Sequence, residues 1–201
     1  MMKASVVLVF SAACVGIAVE DALAVANAEV EGLQLPVWLI RDGERLPLII
    51  GMQLRDRDEV LSGPASRVLL RMGDGSTVKL GENAHFKLDG MTQSRGAGLF
   101  RASLAVIEGA FRFTTEAVYK FRGRREVDVH FSTVTAGIRG TDLWGKSTPD
   151  RDVVCLIEGK ITVSRTGGEP VTMQNAQTVL QVPHGAALPP IGRVDSDQLA
   201  K

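Results

Sequence analysis

Three histidines, His85, His130 and His184, are the residues best suited to metal binding or proton transfer, but they are widely separated in the chain. None has a metal-ligand neighbour at the usual short spacing, so neither a metal site nor a cofactor is expected. A nucleophile elbow and a phosphate-binding glycine loop are both lacking, and Gly73-Asp74-Gly75-Ser76 is a turn sequence instead. Two carboxylates, Glu108 and Glu158, each precede the glycine of an Ile-Glu-Gly triplet, at Gly109 and Gly159. A glycan-cleaving enzyme would need such a pair held close together, whereas two equivalent turn residues need nothing further. Catalytic residues are therefore assigned to no position.

Two groups of residues suit contact or structure better than catalysis. The segment Tyr119-Lys120-Phe121-Arg122-Gly123-Arg124-Arg125 gathers four cations and two aromatics around a glycine. Arginine pairs bidentately with carboxylate and phosphate, so an exposed loop of this kind fits an anionic polymer or an acidic protein surface. A solvated hairpin tip is the plainer alternative. The second group centres on Arg139, which Gly137 and Gly140 bracket in Thr133-Val134-Thr135-Ala136-Gly137-Ile138-Arg139-Gly140-Thr141. Apolar neighbours make a guanidinium costly to bury unless its donors are satisfied, so Arg139 is expected to be partly buried against a carboxylate, Asp58 first and Asp142 second.

The elements that position these residues read as strands. Apolar residues from Val37 onward fall in short runs between turn signals, without a sustained helical period. Val68, Leu70 and Met72 alternate before Asp74-Gly75, and Val78 and Leu80 alternate after it, which predicts a tight hairpin with positive backbone dihedrals at Asp74-Gly75. Residues 105–113 read as a second hairpin, with Phe111 and Phe113 on one face. Residues 156–163 echo it with a glycine 50 residues later, which suggests related units in one β body. Val127, Val129 and Phe131 alternate with Glu126, Asp128, His130 and Ser132, a strand with one wet face. The 21 glycines of the 201 residues are spread along the chain, as many short turns require.

The first residues differ in kind. Met1-Met2-Lys3 leads into an apolar stretch from Ala4 to Val19, and Ala26-Asn27-Ala28 supplies a small-residue cleavage site. This is the layout of a secretory signal peptide, expected to be removed after Ala28. Ser5, Ser11 and Gly16 dilute the stretch below what a membrane span requires, and Ser11-Ala12-Ala13 lacks the aliphatic residue that a lipoprotein signal carries before its cysteine, here Cys14. The chain has 23 basic and 23 acidic residues; removal of Lys3, Glu20 and Asp21 leaves 22 against 21, with no net field to favour nucleic acid. Cys155 would then be the one remaining cysteine, without a disulfide partner, in an apolar run where a buried, inert thiol is expected. From residue 183 to 201, proline, small and polar residues predict a surface or frayed tail.

These motifs, taken in order, resemble the FecR domain family from about Trp38 to about Val182. They are Gly51-Met52-Gln53-Leu54, Asp58-Glu59-Val60-Leu61-Ser62-Gly63, Asp74-Gly75-Ser76, Leu80, Leu88-Asp89, Ile107-Glu108-Gly109, the segment from Thr133 to Gly140-Thr141, and Val154 to Val163 with Gly159. Val134 stands where the family usually carries a proline. The resemblance implies an all-β periplasmic module, solenoid-like or built of two twisted sheets, without catalytic residues. Its best-known members relay the signal of an iron-citrate or siderophore receptor to a cytoplasmic sigma factor, through a cytoplasmic segment and a membrane helix.

A signal peptide at 1–28, a FecR-like domain at 29–182 and a tail at 183–201 are therefore expected. The expected function is a non-enzymatic binding or scaffold module in the periplasm or secreted. Its expected partner is an envelope protein or an anionic envelope polymer. A polysaccharide-acting enzyme, or a regulator that signals through a separate membrane protein, are the alternatives. Export predicts that mass spectrometry of the protein from its own cells finds Glu29 at the N-terminus; an intact Met1 in a cytoplasmic extract contradicts it.

Overall fold

The computed structural model of the chain describes residues 28–94, 99–115 and 123–194, and the expected signal peptide lies outside them but for Ala28. The described residues form strands and turns, with no helix long and apolar enough to cross a membrane. The chain winds between two facing sheets, A and B. Strand β1 (Ala28–Gln34) lies in A, and β2 (Val37–Arg41) with β3 (Glu44–Pro47) forms a hairpin in B. Strand β4 (Gln53–Leu54) returns to A, β5 (Glu59–Ser62) to B, and β6 (Arg67–Met72) with β7 (Thr77–Leu80) makes a hairpin in A. Strand β8 (His85–Ser94) pairs in B with the first half of β9 (Leu99–Thr114). Hairpins then alternate: β10 (Arg124–His130) and β11 (Thr135–Ile138) in B, β12 (Asp142–Ser147) and β13 (Arg151–Glu158) in A. Two more follow, β14 (Ile161–Ser164) and β15 (Val171–Met173) in B, then β16 (Thr178–Pro183) and β17 (Gly192–Arg193) in A.

The spatial order is β4-β1-β6-β7-β9-β12-β13-β16-β17 in A and β3-β2-β5-β8-β9-β10-β11-β14-β15 in B. Every pairing is antiparallel except β9 with β10. This is the all-β body expected from the alternating pattern, in the two-sheet form that the family resemblance implied beside a solenoid-like one. Side chains of period two fill the gap between the sheets: Val68, Leu70, Val78, Leu80, Phe111, Phe113 and Leu143 from A meet Phe86, Leu104, Val127, Val129, Ile138 and Ile161 from B, all buried. Phe111 stacks on Phe86 at 6.3 Å and meets the edge of Phe131 at 6.1 Å, so aromatic rings bridge the layers. Gly145 of β12 leaves room for Phe131, whose ring carbon is 2.5 Å from where a Cβ would stand.

The hairpin at 67–80 forms with Val68 opposite Leu80 and Leu70 opposite Val78, but only Gly75 takes a positive φ (86°); Asp74 does not. Residues 105–113 depart from the expected hairpin. They are one strand, β9, which pairs with β8 and β10 in B up to Glu108, then with β7 and β12 in A from Gly109. Residues 156–163 likewise turn a corner, from β13 in A to β14 in B. A strand that changes sheets and a hairpin both need a glycine between two alternating runs, so the local pattern does not separate them. Gly109 (φ 87°) and Gly159 (φ 93°) are the two corners, and each backs onto another crossing of the chain. A Cβ on Gly109 would stand 2.5 Å from Ala84 Cα; one on Gly159 would stand 2.8 Å from the Gly140 carbonyl oxygen and 3.0 Å from Thr141 Oγ1.

Of the expected surface or frayed tail, residues 183–194 are described and run along the surface, and residues 195–201 lie outside the described residues. Pro183 ends β16, and Gly192–Arg193 pairs with Thr178 and Val179. Cys155 is buried and free, and burial first, the Asp142 charge second, raises its pKa above the ordinary thiol value. The corner geometry yields a prediction. Gly109→Ala should lose the roughly 1–2 kcal/mol that a left-handed alanine costs, plus about 1–3 kcal/mol for crowding Ala84. Gly43→Ala, at φ 83° with nothing within 4 Å of the added carbon, should lose the first term alone. Urea midpoints of the two variants should therefore differ clearly, with Gly109→Ala the lower.

Candidate binding face

The outer face of sheet B carries the side chains that alternation excludes from the core. Around the β10–β11–β14 ladder, Val127, Ile138 and Ile161 point inward, which turns Glu126, Asp128, Arg139, Lys160 and Thr162 outward. These residues, with Gly137 and Thr172, line an open depression of about 600 Å³. Register sets its layout. Asp128, Gly137, Thr162 and Thr172 lie side by side across four strands, while Arg139, next to Ile138, falls at the rim between Glu126 and Lys160. Gly137 is the floor: an added Cβ would meet only Asp128 Oδ1 at 3.4 Å and the Thr162 carbonyl oxygen at 3.7 Å.

The charges there are unevenly satisfied. Glu126 accepts from Arg101 Nε at 2.6 Å and pairs with Arg124 at 2.7 Å. The Arg101 hydrogen bond, aided by the charges of Arg101, Arg124 and Arg139, holds its carboxyl below the usual glutamate range. Arg139, Lys160 and Asp128 are exposed and have no ion pair among the described residues. Four cations (Arg101, Arg124, Arg139, Lys160) thus face two carboxylates, a locally positive surface on a chain without net charge. Beside the depression, His130 bridges Thr135 Oγ1 and Ser103 Oγ, each at 3.0 Å, which fixes a row of polar groups on the same face.

Residues singled out in the sequence are divided by this geometry. Arg139 is exposed, contrary to the expectation of partial burial, because the inward position in β11 belongs to Ile138, and one step along a strand reverses the face. Its expected partners are engaged elsewhere: Asp58 is buried and takes Arg41 Nε at 2.9 Å and Nη2 at 2.6 Å, while Asp142 takes Arg112 at 2.9 and 2.6 Å. Of the basic segment, Tyr119, Lys120, Phe121 and Arg122 lie outside the described residues. Arg124 is exposed at 70%. Arg125 is not a surface cation: only 16% exposed, it donates to the fully buried carboxylate of Asp74 at 2.7 Å. Asp74 also accepts from Ser76 N and Oγ. Thr141, buried, donates through Oγ1 to the Lys160 carbonyl oxygen at 3.1 Å, and so holds the Gly140 and Gly159 crossings together.

Sequence reasoning missed a third buried carboxylate. Asp152 accepts from Thr133 N and Oγ1 at 2.7 Å each and from Ser147 Oγ at 2.8 Å, with His184 at 3.4 Å. Its signal was the odd charge at an inward position of an apolar run, which reads as a strand end from local pattern alone. His85 pairs with Glu59 at 2.7 Å, far along the chain from the other two histidines, and no group of three metal-ligating side chains occurs among the described residues. Glu108 and Glu158 fall beside opposite ends of β12, about 17 Å apart by strand rise, against the roughly 5–9.5 Å of a glycosidase pair.

Residues 58–162, just over half of the chain, match the family model described as FecR protein. The chain belongs to the FecR protein family. The matched span takes in both glycine corners and all of the depression except Thr172. Two crystal structures of a candidate anti-sigma factor from Parabacteroides distasonis ATCC 8503 resemble this FecR chain with a TM-score of 0.55 at 12% identity, over 71% of this chain and 62% of that one. At such identity the likeness is one of fold, and the chain spans less than two thirds of that structure's length. No curated protein matches the sequence.

The different settings of two arginines give a prediction. Arg125→Ala leaves the Asp74 carboxylate buried with Ser76 alone, and should lower stability by about 3 kcal/mol, the lower end for a broken buried pair. Arg139→Ala should stay within about 0.5 kcal/mol of the wild type, as surface substitutions do. Urea midpoints check both, and equal losses would refute the assignment.

Proposed function

We propose that this FecR-family chain is an exported, non-enzymatic binding module of the cell envelope that works through the outer face of sheet B. The observation that carries the reading is the depression over Gly137, where Asp128 on β10, Arg139 one residue past the end of β11 and Lys160 one residue before β14 stand exposed without ion-pair partners among the described residues. Polar side chains held by a sheet and left unengaged are pre-organised for a ligand. The Lys3-led apolar leader and Ala26-Asn27-Ala28 support the compartment. The wide spacing of Glu108 and Glu158 supports binding over glycan cleavage.

A second reading is favoured by the family match and by the fold shared with a candidate anti-sigma factor: a regulator in receptor-linked signalling, which contacts a membrane-associated partner protein. Both readings use a contact surface, and one experiment addresses it. Envelope fractions from cells that express the wild type or the Arg139→Gln/Lys160→Gln double variant are washed with rising salt, and the released protein is measured. The wild type should be retained at low salt and released at high salt, since exposed charge contacts are screened within about 8–10 Å, while the double variant should be released throughout. Equal retention of the two, with equal urea midpoints, contradicts a role for this face.

A further inference from the structure

Resting on that reading of the sheet B face, we infer that its ligand is an acidic glycan, a chain of hydroxylated sugar rings that carry carboxylates. Four features of the depression select this chemistry. The first is the pair of cations. Arg139 offers a planar fork of donors that matches a carboxylate, and Lys160 beside it adds a point charge with three donors.

The second is Asp128. An exposed carboxylate without a cation among the described residues repels an anionic partner, yet it accepts two hydroxyl donors well. A ligand that is negative at one end of each unit and rich in hydroxyl groups elsewhere satisfies both sides of the depression. Thr162 and Thr172 extend the hydroxyl-compatible row away from the cations, since each hydroxyl both donates and accepts.

The third feature is the floor. Gly137 exposes the sheet backbone at the centre of the depression, and glycine within a strand marks a place where another group can approach closely. A sugar ring can rest there between Asp128 and Thr162. The fourth is what the lining omits. Protein partners anchor through buried aromatic or aliphatic side chains in fitted pockets; the depression is lined by charged and hydroxyl side chains, and its apolar members, Val127 and Ile138, are buried in the core. An acidic peptide would find charge here but no anchor.

The two partner classes respond differently to the same substitutions. Binding of an oligogalacturonate and of polyglutamate to the mature protein is measured by calorimetry for the wild type, Arg139→Gln/Lys160→Gln, Asp128→Asn and Gly137→Val. Gly137 has no positive φ, and its Cβ would make only ordinary contacts, so the valine variant should fold; circular dichroism and urea midpoints check this for each protein. The double variant should lose oligogalacturonate affinity by at least about tenfold, the size expected for a lost charged hydrogen bond. Gly137→Val should also weaken the glycan by filling the floor, which a purely electrostatic surface would not register. Asp128→Asn is the sharpest arm: removal of a negative charge should strengthen polyglutamate binding but weaken the glycan, whose hydroxyls exchange a charged acceptor with two oxygens for a neutral one with a single oxygen. A methyl-esterified galacturonan should not bind. Polyglutamate that binds the wild type as tightly as the oligogalacturonate, or an Asp128→Asn variant that gains affinity for both, overturns the glycan assignment and leaves a general anion-binding face. If oligogalacturonate fails to bind the wild type while salt-sensitive envelope retention still depends on Arg139 and Lys160, the ligand class is wrong and the binding role stands.

Discussion

Two sheets made by one continuous chain must be joined by crossings, and each crossing brings backbone polar groups to the rim of an apolar gap. Those groups have to be paired where little space is left for side chains. The structure meets this constraint by stacking crossings on one another. Gly81 N donates to the Ala110 carbonyl oxygen, Asn83 N to that of Gly63, and Thr115 N to that of Thr141, so each crossing completes its neighbour. Where the stack is tightest, at Gly109 and Gly159, no side chain fits. The Ile-Glu-Gly repeat is the trace of this requirement. It recurs because the same corner recurs, once from sheet B to A and once from A to B.

The rims are closed by charge as well as by backbone. Asp58, Asp74 and Asp152 are almost fully buried, and each continues the inward alternation of a strand past its apolar residues. An unpaired carboxylate in such a place would be costly, and each is surrounded by donors: Arg41 and Arg55 N for Asp58, Arg125 and Ser76 for Asp74, Thr133 and Ser147 for Asp152. Arg55, Ser76 and Ser147 are near neighbours in the chain, but each carboxylate also takes a distant donor: Arg41 17 residues away, Arg125 51 and Thr133 19. The carboxylates therefore set which strands lie together at the rim, a matter on which the apolar layer is permissive.

Period two links this core to the binding face. The residues that fill the gap from β10, β11 and β14 oblige their neighbours to stand in water, in register, on the opposite side. Asp128, Gly137, Thr162 and Thr172 form one row only because Val127, Ile138, Ile161 and Met173 pack in the row behind. The depression thus lies directly over buried core residues of the same strands.

Much of this protein was legible in the sequence. Alternation gave strands and the inward residues Val68, Leu70, Val78, Leu80, Val127 and Val129, because which face a side chain takes is local to a strand. The order of short motifs gave the family, because corners and turns need particular residues at particular places. Tertiary structure alone decided three other matters. It made residues 105–113 one strand through both sheets, since a glycine between two alternating runs serves a corner and a hairpin equally. It paired Asp58 with Arg41, Asp142 with Arg112 and Asp74 with Arg125, and left Arg139 in water, since the partner of a charge depends on which strands become neighbours. Finally, it assembled the binding face from β10, β11, β14 and β15, whose residues are scattered from Glu126 to Thr172 and share a surface only through strand register.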